Sequence, residues 1–214
     1  AFGSITSTSN DYFSIRPTSF SVSATDASAT TAGTTRSLTS GANLHSAMQP
    51  FTLNAQALLS GSGAASNYPG TGTGPVAQSL TTSTPTVAAG GVNGTLSPGS
   101  WSASGGTLTS TTATYTEAGS FTLTLEDQNY ADVDSTDSTT TQRYFSGSAS
   151  LGRFTPNHFI TTVTQACVAG SFSYSRQPFT VVVTAQNAAN NTTLNYFGSA
   201  GSAQSVTLSD GSAS

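Results

Sequence analysis

The stretch QPFTLNAQA at residues 49–57 returns as QPFTVVVTAQN at residues 177–187. Every second residue of the first copy is apolar, at Phe51, Leu53, Ala55 and Ala57. This alternation predicts a β-strand with one buried face. Each copy is followed, after a similar interval, by Asn-Tyr-X-Gly at residues 67–70 and 195–198. Because the copies share both residue identities and spacing, the sequence predicts an internal duplication of one β-module.

The rest of the chain favours strands over helices. No stretch sustains an apolar period of 3.6 residues, and Gly, Ser and Thr are abundant. Eleven Phe and seven Tyr argue against disorder. The pattern Tyr115-x-Glu117-x-Gly119, followed by Phe121 and alternating Leu, is typical of the end of an immunoglobulin-like module. The sequence therefore predicts an all-β fold of tandem immunoglobulin-like β-sandwiches, with the second module incomplete.

Four segments follow from this pattern. We predict a linker or N-terminal arm at residues 1–11, a first β-sandwich module at 12–145, a junction at 146–151 and a second module at 152–214. The second segment is shorter than the roughly 100 residues of a complete immunoglobulin-like sandwich. We therefore expect the second module to be truncated or to be completed by strands of another chain.

Charge and hydropathy exclude some classes of function. Only 7% of the residues are charged, the formal net charge is −4, and the basic residues do not cluster, so nucleic-acid binding is not expected. The sequence has no signal peptide and no apolar run of about eighteen residues, so no membrane span is predicted in it. Both ends resemble cuts within a longer chain, and we expect any secretion signal to lie elsewhere.

An acidic stretch is the candidate metal site. Four carboxylates lie within eleven residues, at Asp127, Asp132, Asp134 and Asp137. Calcium takes six to eight oxygen ligands, and alternating Asp residues in a loop supply several of them. The spacing does not fit an EF-hand. The stretch is therefore interpreted as a calcium loop or, alternatively, as a solvated turn, and no other cofactor is expected.

No catalytic constellation is evident. His45 and His158 lie far apart, and Gly-x-Ser-x-Gly is absent, so nothing supports a Ser-His-Asp or Cys-His arrangement. We predict that the chain is not an enzyme and that His158 is a packing residue. Cys167, the single cysteine, is either a small buried residue or half of a disulfide with a partner elsewhere.

The aromatic residues allow a sugar-binding interpretation. Trp101, the single tryptophan, lies in a Ser/Gly-rich stretch. On an exposed loop with Tyr68 or Tyr130 it would stack against a sugar ring, whereas a single Trp in a sandwich usually lies in the core. The core interpretation is favoured.

Four motifs carry a family resemblance: Phe13-x-Ile-Arg-Pro17-x-x-Phe20, Tyr115-x-Glu-x-Gly-x-Phe-x-Leu123, Gly152-Arg-Phe-x-Pro156-x-His-Phe159 and Phe172-x-Tyr174-x-x-Gln-Pro-Phe179. Together they resemble the MshQ-like region of bacterial MSHA-type pilus proteins, a domain family without assigned activity. The resemblance implies a large cell-surface or pilus-associated protein of Gram-negative bacteria that acts in adhesion or pilus assembly. It implies no catalytic or ligand-binding residues.

The predicted function is that of a non-enzymatic, extracellular structural module, forming a stalk or fibre segment on the bacterial surface. The expected partners are other copies of itself or pilus components, because sparse charges leave strand edges open to pairing. The alternative is a carbohydrate-binding adhesin module that contacts surface glycans.

Overall fold

A computed structural model of the chain describes residues 15–26, 35–39, 43–69, 80–82, 86–87, 90–167 and 173–196. The strands in these residues are β1 (Ser19–Asp26), β2 (Arg36–Ser37), β3 (His45–Ser46), β4 (Phe51–Leu58), β5 (Leu80–Thr82), β6 (Thr86–Val87), β7 (Leu96–Ser97), β8 (Ser102–Ser104), β9 (Thr107–Tyr115), β10 (Gly119–Asp127), β11 (Phe145–Thr155), β12 (His158–Thr164) and β13 (Thr180–Gln186). A 3-10 turn (Asp132–Asp134) and the short helix α1 (Thr140–Arg143) lie between β10 and β11. The predicted N-terminal arm, residues 1–11, lies outside the described residues.

Two sheets face each other in the first sandwich. One sheet has the order β2-β1-β4-β9-β7, with β8 also paired to β9. The other has the order β3-β11-β10-β5, with β6 also paired to β10. All of these pairings are antiparallel except the one between β3 and β11. The prediction of an all-β sandwich fold is confirmed.

The core between the sheets comes from strict alternation. In β10, whose sequence is GSFTLTLED, the apolar residues are buried and the intervening Thr residues are half-buried on the outer face. The largest fully buried apolar side chains of the sandwich are Leu38, Phe51, Leu53, Leu108, Tyr115, Phe121, Leu123, Leu125 and Leu151. Tyr115 and Phe121 stack with their ring centroids 4.0 Å apart. The pattern predicted to close the module therefore supplies its central core.

Strand β11 corrects one boundary. It pairs with β10 from Asp127 opposite Phe145 to Gly119 opposite Phe154. The predicted junction, residues 146–151, is thus an interior part of the first sandwich, and the strand continues past residue 152. The strand was not predicted because Ser and Gly at these positions show no apolar alternation. Glycine is required at position 147, because a side chain there would collide with the backbone carbonyl of Phe20.

Strands β12 and β13 repeat the pair β1 and β4. Phe20 lies opposite Ala57 in the first pair. Phe159 lies opposite Ala185 in the second. The counterpart of Ala57 after a shift of 128 positions is Ala185, so the duplicated strands also keep the same partner register. The second pair forms its own two-stranded sheet in the described part of the chain.

The turn after each duplicated strand is also repeated. A bridge joins Leu58 to Ala64 in the first copy and Gln186 to Thr192 in the second. Each turn contains a non-glycine residue with positive φ, Ser62 at 69° and Asn190 at 63°. The duplication predicted from sequence thus extends to the backbone hydrogen bonding of the turns.

Candidate functional site: the joint between the two copies

The second copy meets the first sandwich at a polar joint. Three segments form it: the corner between β9 and β10 at residues 116–118, the segment at 90–95 that precedes β7, and the turn after β13 at 187–195. Because the contacts join residues that lie 71 to 103 positions apart, they hold two distant parts of the chain together.

Glu117 is the centre of the joint. Its side chain is buried, with 6% of the residue exposed. The backbone N–H of Leu194 donates to both carboxylate oxygens, at 3.0 and 2.9 Å, and the N–H of Asn195 donates to one, at 3.1 Å. Burying a carboxylate is costly unless it is hydrogen-bonded. Glu117 therefore acts as an acceptor that fixes the turn of the second copy on the corner of the first.

Asn195 grips the neighbouring segment of the first sandwich. Its side-chain oxygen accepts the N–H of Val92 at 2.6 Å, and its amide nitrogen donates to the carbonyl of Val92 at 2.8 Å. The same nitrogen lies 3.2 Å from the carbonyl of Ala118. With both its donor and its acceptor used, this buried amide holds Val92 as a neighbouring β-strand would.

Asn187 closes the other side of the joint. Its amide nitrogen donates to the carbonyl of Thr116 at 3.0 Å. Its side-chain oxygen accepts the backbone N–H groups of Ala189 and Asn191 at 3.0 and 3.1 Å, which stabilises the turn itself. Next to it, the N–H of Ala188 donates to the carbonyl of Ala47 at 3.0 Å. Hydrogen bonds with this degree of burial contribute about 1 kcal/mol each, and more when one partner is charged.

Tyr115 binds the 90–95 segment of the joint from the core of the first sandwich. It is fully buried, and its hydroxyl accepts the N–H of Gly94 at 3.3 Å. Burial raises the pKa of Tyr115 to about 12. Only glycine fits at position 94, because a Cβ there would collide with the Tyr115 ring.

The joint is marked in the sequence by a difference between the two copies. The repeated Asn-Tyr was recognised as part of the duplication, but not as a contact. The two copies differ where the joint forms, since the counterpart of Asn187 in the first copy is Leu59. A buried Asn replacing an exposed Leu marks a position where the second copy acquires a partner.

A second polar cluster was also missed. Asp26, at the end of β1, is buried, and its carboxylate lies 2.7 Å from a guanidinium nitrogen of Arg36 and 3.4 Å from Nδ1 of His45. The Nε2–H of His45 faces the carbonyl of Gln49 at 3.0 Å. These groups line a cavity of about 420 Å³. The cluster ties the β2 and β3 segments to the sandwich.

The four predicted calcium ligands do different things. Asp127 is buried; its carboxylate accepts the hydroxyl of Tyr68 at 2.6 Å and the N–H groups of Asn129 and Tyr130 at 2.9 Å. Burial, reinforced by the hydrogen bond to Asp127, raises the pKa of Tyr68 well above its usual value.

Asp132 and Asp134 belong to the 3-10 turn, and Asp132 lies 3.9 Å from Nε of Arg143. Asp137 is exposed. Within the described residues, no three His, Cys, Asp or Glu side chains converge in a way that would hold a metal ion. The structure therefore does not bring these four carboxylates together, and the calcium loop stays a prediction.

The other candidates lie apart from one another. His158 is half-buried at the start of β12, with Nε2 3.1 Å from Oε1 of Gln186. Cys167 is half-buried and forms no disulfide in the described part of the chain. Trp101 is half-buried and packs against the core of the first sandwich, as its favoured interpretation predicts.

An open cavity lies at the first copy's Asn-Tyr turn. It has a volume of about 560 Å³. Its lining includes Ser66, Asn67, Tyr68, Ser104, Gly105 and Tyr130. The rings of Tyr68 and Tyr130 lie 5.1 Å apart and are tilted by 52°. Tyr68 is only 4% exposed, so its ring face is covered.

Among known families, the model described as DUF6701, third domain, matches residues 117–214, a little under half of the chain. The match begins at the carboxylate residue of the joint. No curated protein matches the chain. No solved structure matches it either. The pilus association implied by the sequence resemblance therefore stays a proposal.

No helix among the described residues has both the length and the apolar character needed to cross a membrane.

Proposed function

We propose that the chain is a non-enzymatic structural module of a bacterial surface protein, serving as a stalk or fibre segment outside the cell. The observation that carries the proposal is the joint. Two copies of one β-module are held to each other by the buried residues Glu117, Asn187 and Asn195 instead of by a flexible linker. A repeated unit with a fixed joint makes an extended array that resists bending, which is what a stalk requires.

The outer surfaces support the same role. On the outer face of the β10–β11 pair, hydroxyl groups meet across the strands, Thr124 with Ser148 at 2.6 Å and Thr122 with Ser150 at 3.3 Å. With only 7% charged residues, solvation depends largely on such hydroxyls. Strand edges without Lys or Glu are poorly protected against pairing with another chain. This supports other copies or pilus components as partners.

The test is electron microscopy of material sheared from the surface of the source cells, labelled with an antibody raised against residues 1–214. The matched control is the same antibody absorbed with the purified chain. Label at regular intervals along fibres is the expected result. Label confined to the cell interior would overturn the proposal.

A carbohydrate-binding adhesin module is the second candidate. The cavity of about 560 Å³ at Asn67 and Tyr130 is the observation that favours it, because sugar sites combine an aromatic ring with polar neighbours. The buried Tyr68 ring and the core contacts of Trp101 count against it, because neither ring is open to stack against a sugar. In the same microscopy, label restricted to sparse fibre tips would favour this candidate.

A further inference from the structure

The first copy carries a counterpart of the turn that forms the joint. The residues related by the 128-position shift to Leu194 and Asn195 are Ser66 and Asn67. The backbone leading to both pairs is the same: the N–H of Ala65 donates to the carbonyl of Ala57 at 2.9 Å, and the N–H of Thr193 donates to that of Ala185 at 3.0 Å.

The two turns differ in what covers them. Asn195 is 4% exposed, because Glu117 and Val92 lie on it. Ser66 and Asn67 are exposed, and their backbone N–H groups donate to no acceptor in the described part of the chain. Both residues line the cavity of about 560 Å³. Among the described residues, the first copy therefore presents two N–H groups and a side-chain amide without a protein partner, on the turn whose counterpart binds a carboxylate and the backbone of Val92 in the second copy.

The charges of the cavity fit such an occupant. None of its lining side chains carries a carboxylate, and two backbone N–H donors side by side favour an anion. We propose that this cavity, which we call the Asn67 socket, receives the acidic corner of another β-module, a Thr-Glu-Ala turn together with the backbone segment beside it. The socket thus repeats, on the first copy, the contact that Glu117 makes with the second.

The occupant comes from a module other than the two described here. Glu117 of this chain is already bound by Leu194 and Asn195. The inference rests on the proposed structural function and names its assembly: modules join in one direction, with the acidic corner of one module on the Asn-Tyr turn of the next. Contacts of this head-to-tail kind continue along a fibre instead of closing into a dimer.

The first experiment titrates the ¹⁵N-labelled chain with a synthetic peptide of the sequence of residues 113–120, ATYTEAGS, and follows the amide chemical shifts. Because covalent linkage normally supplies an effective concentration of the order of millimolar, the separated contact is expected to have a Kd on the order of millimolar. The expected result is saturable shifts at Ser66 and Asn67. The matched peptide with Gln in place of Glu is expected to bind at least about fivefold more weakly, because it lacks the charge. The Asn67→Ala chain keeps both backbone N–H groups but lacks the amide that would bind the Ala118 carbonyl of the peptide, so it is expected to bind more weakly.

A second measurement supplies the corner in its folded form. The variant Asn187→Leu/Asn195→Ala removes the side-chain hydrogen bonds of the second copy to Thr116, Val92 and Ala118, and is therefore expected to loosen its hold on the Glu117 corner. Its association with the Asn67 socket of a second molecule would appear as a concentration-dependent rise in mass by light scattering, and the added change Asn67→Ala is expected to abolish it. No peptide-induced shift at the socket together with no Asn67-dependent association would overturn the proposal. Equal shifts with both peptides would also overturn it.

Sugars are the competing occupant. Shifts at Ser66, Asn67 and Tyr130 with simple hexoses, but not with the peptide, would overturn the socket and favour the adhesin candidate. Fibres labelled in the microscopy above, combined with a failed titration, would overturn the socket and leave the structural role standing.

Discussion

The pair β1–β4 and the pair β12–β13 have the same register and the same turn, yet they differ in burial. Phe20 is 5% exposed, whereas its counterpart Phe159 is 49% exposed. The inner face of the first pair is covered by the sheet that contains β10 and β11. The second pair forms a two-stranded sheet, and its Phe159 contacts only the Tyr196 ring among the aromatic residues that the structure describes. The alternating sequence specifies a face, and the covering sheet decides its contribution to stability.

The sharpest test compares Phe51→Ala with Phe179→Ala, which occupy the same position of QPF in the two copies. Phe51 is 1% exposed and packs against the rings of His45 and Phe154, whereas Phe179 is 58% exposed. Phe51→Ala is expected to lower the free energy of unfolding by about 3–5 kcal/mol. Phe179→Ala is expected to lower it by less than about 1 kcal/mol. Urea unfolding followed by tyrosine and Trp101 fluorescence measures both, and equal losses would show that the second face is covered in solution.

Alkaline titration tests the buried tyrosines, which the first copy has at Tyr68 and Tyr115. The native state holds these protons more tightly, since both pKa values are raised. The tyrosines of the unfolded chain ionise first as the pH rises above 10. The contribution of the two buried hydroxyls to the free energy of unfolding is therefore fully present below pH 10 and declines above it. For Tyr115 the decline is about 1.4 kcal/mol per pH unit up to pH 12. Tyr115→Phe is expected to flatten the slope of unfolding free energy against pH between 10 and 12. An unchanged slope would contradict the burial of this hydroxyl.

The joint is tested by exchanging the residue that differs between the copies. Asn187→Leu removes the bond to the Thr116 carbonyl and leaves the N–H groups of Ala189 and Asn191 without their acceptor. The expected cost is about 2 kcal/mol, because buried polar groups lose their partners. Amide hydrogen exchange in β12 and β13 should accelerate by about tenfold or more. The control Leu59→Asn changes an exposed side chain and is expected to shift stability by less than about 0.5 kcal/mol. Similar effects from both changes would refute the assignment of the joint.

The smallest effect is expected in the acidic stretch between β10 and β11. Since Asp127 is already engaged by Tyr68 and by two N–H groups, and Asp137 is exposed, added calcium is expected to leave the melting temperature unchanged. Differential scanning calorimetry with calcium and with an equal ionic strength of sodium chloride measures this. A calcium-specific rise in Tm that is lost in Asp132→Asn/Asp134→Asn would restore the calcium loop.

Local pattern explains what the sequence predicted. The strands β4 and β10 follow from apolar alternation, and β13 follows from the repeat of residues 49–57 at residues 177–187, which also predicts the shared register. Strand β11 could not be predicted because residues 146–150 have no apolar alternation. These residues pair with β10 through backbone groups and outer hydroxyls. The joint escaped because its partners, such as Glu117 and Asn195, are far apart in sequence. Neither residue type alone distinguishes a buried acceptor from a solvated turn.

Strand β11 also has a consequence for synthesis of the protein. The core of the first sandwich is incomplete until β11 pairs with β10, since β11 contributes Phe145, Leu151 and Phe154 to that core. Folding on the ribosome proceeds from the N-terminal end, so β1 and β4 emerge long before the strand that completes their cover. The nascent chain must keep an apolar sheet face unpaired until residue 155 has left the exit tunnel. Few charges guard that face, so this interval is when we expect the chain to depend most on chaperones.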